Sequence, residues 1–247
     1  MSTGATMGRE MERAQAYARD LAGAYGDALR GVVLYGSAAR GEYREGQSDL
    51  NLLVLLAATD AQTLRRGSAL ARAWAAENNP PPLLMSEAEF RGSADVFPME
   101  LADIRDANVV LHGADPFVGM EIRPEDLRLQ LERELKGAWI RLRTRYLTDA
   151  GDAARFEPVL LKSLSTFLVM FRTVLRLGGG NAVRDPERVL AETAAMVGFD
   201  PAPLLEVQRA RAGGGKLDVR PDSAVVTGYL EAVARVVEYV DRFERPV

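Results

Sequence analysis

The chain contains no cysteine and a single histidine, His112. The first absence excludes disulfides, thiolate zinc sites and cysteine nucleophiles, and it fits a reducing compartment. The second excludes a multi-histidine metal site within one chain. A serine triad would have to run through His112, and no nucleophile-elbow pattern accompanies it. In the short apolar stretch Val109–His112 the histidine reads as a structural or partly exposed residue. A strong charge imbalance is missing too. Thirty-one basic residues stand against 35 acidic ones, for a formal net charge of −4. That balance offers no general nucleic-acid-binding surface. The most apolar long stretch, 158–177, is interrupted by Lys162 and Arg172, so it reads as a core helix rather than a membrane span. The opening residues, MSTGATMGREMERAQ, carry no apolar signal core. The expectation is a cytoplasmic protein with no membrane partner. Oligomeric state has no signature. What remains is 247 residues, 47% hydrophobic and 27% charged, enough for one large domain or two smaller ones.

The pattern along the chain changes at its middle. An alanine-rich helix over 7–29 leads into a strand, Gly31–Tyr35. Gly36–Ser37 makes a turn that can open a short helix, and 40–47 is a polar loop with two glycines. A β-type run follows over 49–56. Asp60 caps a helix that runs toward Asn79 and stops before Pro80–Pro81–Pro82. Residues 82–85 form a short strand, and Ser86 with Glu89 makes a capping box for one helical turn. Val96–Ile104 reads as a further strand, with Pro98 at its edge or start. Beyond the segment 115–123 the pattern is helical throughout. The expected helices cover 124–148, opened by Pro124, then 156–177, shorter ones after Asp185 and Pro201, and a last one over 221–243. The reading is therefore an α/β domain with a small mixed sheet over 1–115 and a helical bundle over 116–247. Gly213–Gly214–Gly215–Lys216 invites a phosphate-loop reading, but Leu217 stands where Ser or Thr is required.

One constellation carries chemistry. Backbone N–H groups at a tight glycine turn can grip phosphate oxygens, and Gly36 permits the close approach while Ser37 adds a hydroxyl. Strand alternation puts Asp49 and Asn51 on one face, with Leu50 and Leu52 on the other. Mg²⁺ takes oxygen ligands shared between protein and substrate phosphates. The stretch DVFPMELADI, 95–104, offers a further carboxylate. Glu100 is favoured because mid-strand, beside Pro98 and Ala102, a lone carboxylate is costly to bury unless paired or metal-bound. Asp103 is the second choice. A structural ion pair with an arginine is the other explanation of Glu100. Arg40 either reaches phosphate or holds Glu42 or Glu45 in the loop.

LYGSAARGE followed by SDLNLLVLL resembles the nucleotidyltransferase superfamily, whose pattern is a glycine–serine turn, a loop, then Asp-x-Asp or Asp-x-Glu on the next strand. Pro98–Met99–Glu100 and the helical second half resemble its streptomycin/spectinomycin adenylyltransferase branch. The resemblance implies that Gly36 and Ser37 contact nucleotide phosphates, that Asp49 is catalytic and a metal ligand, and that Glu100 completes the metal site or acts as base. It implies Mg²⁺ as cofactor, ATP as the nucleotide bound between the two halves, and transfer of NMP to a hydroxyl of a small-molecule acceptor. Asn51 departs from the pattern: it keeps an oxygen ligand and loses the charge. The loop between Ser37 and Asp49 is also about one residue longer than in many members.

That departure defines a second reading, a nucleotide-binding sensor or regulatory module on the same fold. A third, a nucleotidyltransferase fused to a helical RNase, is disfavoured because the helical half has no histidine. Basic residues of that half, Lys162, Arg172 and Arg176, read as a solvated helix face or as groups that reach the triphosphate. Arg141, Arg143 and Arg145 alternate, so the three do not form one stripe. Trp74 and Trp139 read as core or interface residues.

Overall fold

The computed structural model describes residues 3–41, 43, 49–180, 183 and 185–243. The chain divides into two compact units, Met1–Arg123 and Pro124–Val247.

In the first unit, helix α1 (Thr3–Tyr25) and a short 3₁₀ turn lead into β1 (Leu29–Tyr35). Then come β2 (Asn51–Leu56), α2 (Ala61–Ala76), β3 (Leu83–Ser86), α3 (Glu87–Gly92), α4 (Pro98–Asp106) and β4 (Asn108–Gly113). The sheet order is β3-β2-β1-β4. β1 pairs antiparallel with both β2 and β4, and β2 pairs parallel with β3 across the α2 crossover. This is the small mixed sheet expected from the sequence.

Both faces of the central strands are covered, which is why VVL and LLVLL read as unbroken apolar runs. Val32, Leu34, Leu50, Leu52, Val54 and Leu56 face α1 and α2, where Tyr17 stacks on Trp74 at 4.4 Å between ring centroids. Val33, Leu53 and Leu55 face the other way, onto Phe90 of α3, Leu101 and Ile104 of α4, and Phe117. Each fully buried leucine contributes about 1.5–3 kcal/mol. Register is therefore strongly specified, because a one-residue slip would exchange the two faces.

The helix starts follow local chemistry. Asp60 accepts the N–H groups of Gln62 and Thr63, and Ser86 and Glu89 form a reciprocal capping box. One expectation fails here. The stretch 96–104 is not a strand: Pro98 occupies the first turn of helix α4. Proline is pre-set for that position, since its missing N–H would be unpaired there anyway. Val96 and Phe97 are exposed rather than strand-buried.

The second unit is helical: α5 (Pro124–Asp149), α6 (Ala153–Leu177), α7 (Pro186–Val197), α8 (Ala202–Arg211) and α9 (Ala224–Asp241). Its core runs along α6, where Phe156, Leu160, Leu164, Phe167, Phe171 and Val174 recur at helical spacing and are fully buried. Among the described residues α6 is the one helix long and apolar enough to cross a membrane, and half of that apolar window is buried within the fold. Tyr229 of α9 packs edge-on against Phe167 and bonds the Ser163 hydroxyl at 2.9 Å.

Candidate functional site

β1 ends at Tyr35, which is paired with Asn51 at the start of β2 and with Asn108 of β4. Burial pushes the Tyr35 phenol above its ordinary range. The chain then reverses at Gly36, whose φ is +80°. A Cβ at Gly36 would lie 3.0 Å from Nδ2 of Asn51. Backbone conformation and close approach thus both select glycine. The Arg40 N–H donates to the Gly36 carbonyl at 3.2 Å, and the Gly41 N–H to the Ala38 carbonyl at 3.2 Å. The result is a single turn over 36–41, not a helix. Among the described residues the N–H groups of Ser37, Ala38 and Ala39 have no backbone acceptor. Successive unengaged N–H groups after a left-handed glycine form an anion-binding concavity.

Asp49 stands two residues before β2, because the strand starts at Asn51 rather than at 49. It is exposed, Asn51 is half-buried, and Leu50 between them is fully buried. Within β2, alternation puts Asn51 on the face of Leu53 and Leu55, whereas Asp49 lies before the strand. This entry into β2 is anchored by a residue that sequence reasoning missed. The Leu50 N–H donates to Oδ1 of Asn79 at 3.4 Å, and Asn79 is buried. Asn79 is itself held by the close of α2, where the Trp74 indole N–H donates to the Pro80 carbonyl at 3.1 Å. The only sequence signal was its place before the three prolines.

Glu100 differs from expectation. It lies in the first turn of α4 and is exposed, so the argument from a carboxylate buried mid-strand does not apply. Its helix nevertheless packs through Leu101 and Ile104 on the sheet face that carries Asn51 at its open end. Arg40 is half-buried at the close of the glycine turn; its alternative partners, Glu42 and Glu45, lie outside the described residues. His112 is an exposed residue on β4. Lys216 follows a glycine loop after α8, with no strand before it. Among the described residues no three His, Asp or Glu side chains gather as a metal site.

No protein-family model matches the chain, and no curated protein does. A solved structure does. It is spectinomycin adenyltransferase from Enterococcus faecialis, with ATP and spectinomycin. The match covers 91% of this chain and 98% of that one, with a TM-score of 0.55 and 12% identity. The chain has a nucleotidyltransferase-like fold. At that identity the likeness speaks for the fold alone. Within the nucleotidyltransferase-like fold, the glycine turn and the start of β2 are adjacent through the Tyr35–Asn51 pair and the Gly36–Asn51 contact.

Proposed function

We propose that the protein binds a nucleoside triphosphate, ATP in the first instance, at the Gly36–Ser37 turn, and transfers NMP to a hydroxyl of a small-molecule acceptor. The observation that carries this reading is the left-handed Gly36 turn set directly against Asn51, with Asp49 two residues before it. The nucleotidyltransferase-like neighbour, solved with ATP and a small molecule, supports the same pair of partner classes.

Each residue has a role in this proposal. The free N–H groups after Gly36 and the Ser37 hydroxyl hold phosphate oxygens, and Arg40 adds a positive charge. Asp49 and Asn51 supply one carboxylate and one carboxamide oxygen. That donor set fits a single Mg²⁺ shared with the phosphates better than a pair of metal ions. A bound magnesium supplies charge neutralisation on the triphosphate. The acceptor oxygen bonds to the α-phosphorus, the bridge to the β-phosphate breaks, and pyrophosphate leaves. Glu100 takes the hydroxyl proton, or completes the metal site from α4.

The test is calorimetry of Mg²⁺–ATP binding to the native chain and to Asp49→Ala. Binding is expected in the first and is expected to weaken at least about tenfold in the second. Equal affinity in the two would remove Asp49 from the site.

A second reading has an observation of its own. Asn51 lacks the charge of the residue that the pattern expects, so the fold can serve as a nucleotide-binding sensor without turnover. Losing one positioned group costs about 10² to 10⁴ in rate. In this reading pyrophosphate release is absent in the native chain and emerges in Asn51→Asp. Robust turnover by the native chain with any acceptor excludes it.

A further inference from the structure

Helices α5 and α6 are joined by three residues, 150–152, and form an antiparallel hairpin. Between them lies an open pocket of about 520 Å³, wholly within the helical unit. Arg141 and Arg145 stand one turn apart on the α5 wall. Arg155 and Lys162 stand two turns apart on the α6 wall. Its accessible apolar lining is Pro158 and Val159, backed by the buried Leu142 and Phe167. Among the described residues no carboxylate lines the pocket.

The four cations are not equivalent. Asp149, 1% exposed at the hairpin end, pairs with Arg145 at 2.6 Å and Arg155 at 3.4 Å. A buried carboxylate requires such partners, so this pair of arginines frames the fold. Arg141 and Lys162 have no ion pair or hydrogen bond among the described residues. Both are exposed at the rim. A merely solvated lysine needs no apolar floor, and a packing defect needs no unengaged cations. Their union in one concavity suits a ligand that is apolar at one end and anionic at the other.

We propose that this pocket binds a small organic acid, with its apolar body on Pro158 and Val159 and its acidic group between Arg141 and Lys162. Two unengaged cations match one carboxylate, sulfonate or phosphate monoester; a triphosphate carries more charge than they neutralise. The concave apolar floor also distinguishes the site from a nucleic-acid surface, which requires a line of cations along a phosphate backbone. The pocket stands independently of the nucleotide reading.

Two fluorescent probes isolate the acid group. 8-Anilinonaphthalene-1-sulfonate and N-phenyl-1-naphthylamine share one apolar body, and only the first is anionic. Titrated into the full chain, the sulfonate is expected to bind at least about tenfold tighter than the neutral probe, a difference of about 1.4 kcal/mol. Lys162→Glu and Arg141→Glu are each expected to weaken the sulfonate about tenfold and leave the neutral probe unchanged. Lys162→Gln is the milder variant, and thermal melts establish that each variant folds. Equal affinity for the two probes overturns the proposal. So does sulfonate affinity that is unmoved in charge-reversed variants that melt like the native chain. Displacement of the sulfonate by stoichiometric ATP assigns the pocket to the nucleotide and overturns the organic acid.

Discussion

Gly36 and Asn51 constrain each other. Gly36 has φ +80°, a conformation that costs an L-residue with a side chain about 1–2 kcal/mol. The added methyl of Gly36→Ala would also meet the Asn51 amide at 3.0 Å. Gly36→Ala is therefore expected to lower the unfolding free energy by more than about 1 kcal/mol in urea titration. It should also abolish ATP binding. A variant that keeps native stability and affinity would show that the turn is not under this constraint. Asn51→Asp conserves shape and adds a charge two residues from Asp49, at the head of β2. Without metal the two carboxylates repel, so the melting temperature is expected to fall. Mg²⁺ is expected to restore it and to raise it more than in the native chain. Identical magnesium responses in the two proteins would argue that Asn51 faces no metal.

At the scale of elements, helix starts are the clearest points of control. Ser223 is buried at the start of α9, accepts the Val226 N–H at 3.2 Å and donates to the Asp218 carbonyl at 2.6 Å. Ser223→Ala removes a cap and leaves that carbonyl unpaired, so a loss of about 1–2 kcal/mol is expected by chemical denaturation. Asp60 gives α2 a pH dependence. Hydrogen bonds from the Thr63 hydroxyl and the Thr63 and Gln62 N–H groups hold its carboxyl below the ordinary range. A depressed folded pKa means stability that is fully present above the unfolded value, about 3.9, and lost as pH falls through the folded one. The stability difference between native chain and Asp60→Ala should thus be constant near neutrality and shrink under acid. A pH-independent difference would contradict the charged cap. Helix α4 shows how far such signals were legible. Pro124 reads as a helix start from sequence, while Pro98, in the same chemistry, reads as the edge or start of a strand. Nine residues with buried positions on several sides show neither period cleanly; the helix has no side-chain cap at Phe97, and Pro98 in its first turn is the local feature that marks its start.

For the whole molecule, two cores in two units predict local rather than global consequences of a cavity. Phe167 is fully buried in α6, and its truncation to alanine typically costs about 3–5 kcal/mol. Hydrogen exchange in Phe167→Ala is expected to quicken across the helices of 124–247 while β1 and β2 keep their protection. A uniform rise across both units would mean that they unfold as one body. Charge is also distributed unevenly. A chain of net charge −4 gathers four cations on the pocket of the α5–α6 hairpin, and two of them, Arg145 and Arg155, pair with the buried Asp149. From sequence the alternation of Arg141, Arg143 and Arg145 argued against a single stripe. In the fold Arg143 lies over the Trp139 ring at 5.0 Å, and Arg141 and Arg145 share the pocket wall.

The sequence by itself determined the order of strands and helices apart from α4, and the glycine turn between β1 and β2. These features are written in short-range periodicity and in residues whose backbone chemistry admits few alternatives, such as Gly36, Asp60 and Ser86. The tertiary structure alone decided that Glu100 sits exposed on a helix, that Asn79 anchors the entry to β2 from 29 residues away, and that Arg141 and Lys162 line one pocket. Those outcomes depend on pairings between distant segments, and a partner across the fold leaves no periodic trace in the chain that carries it.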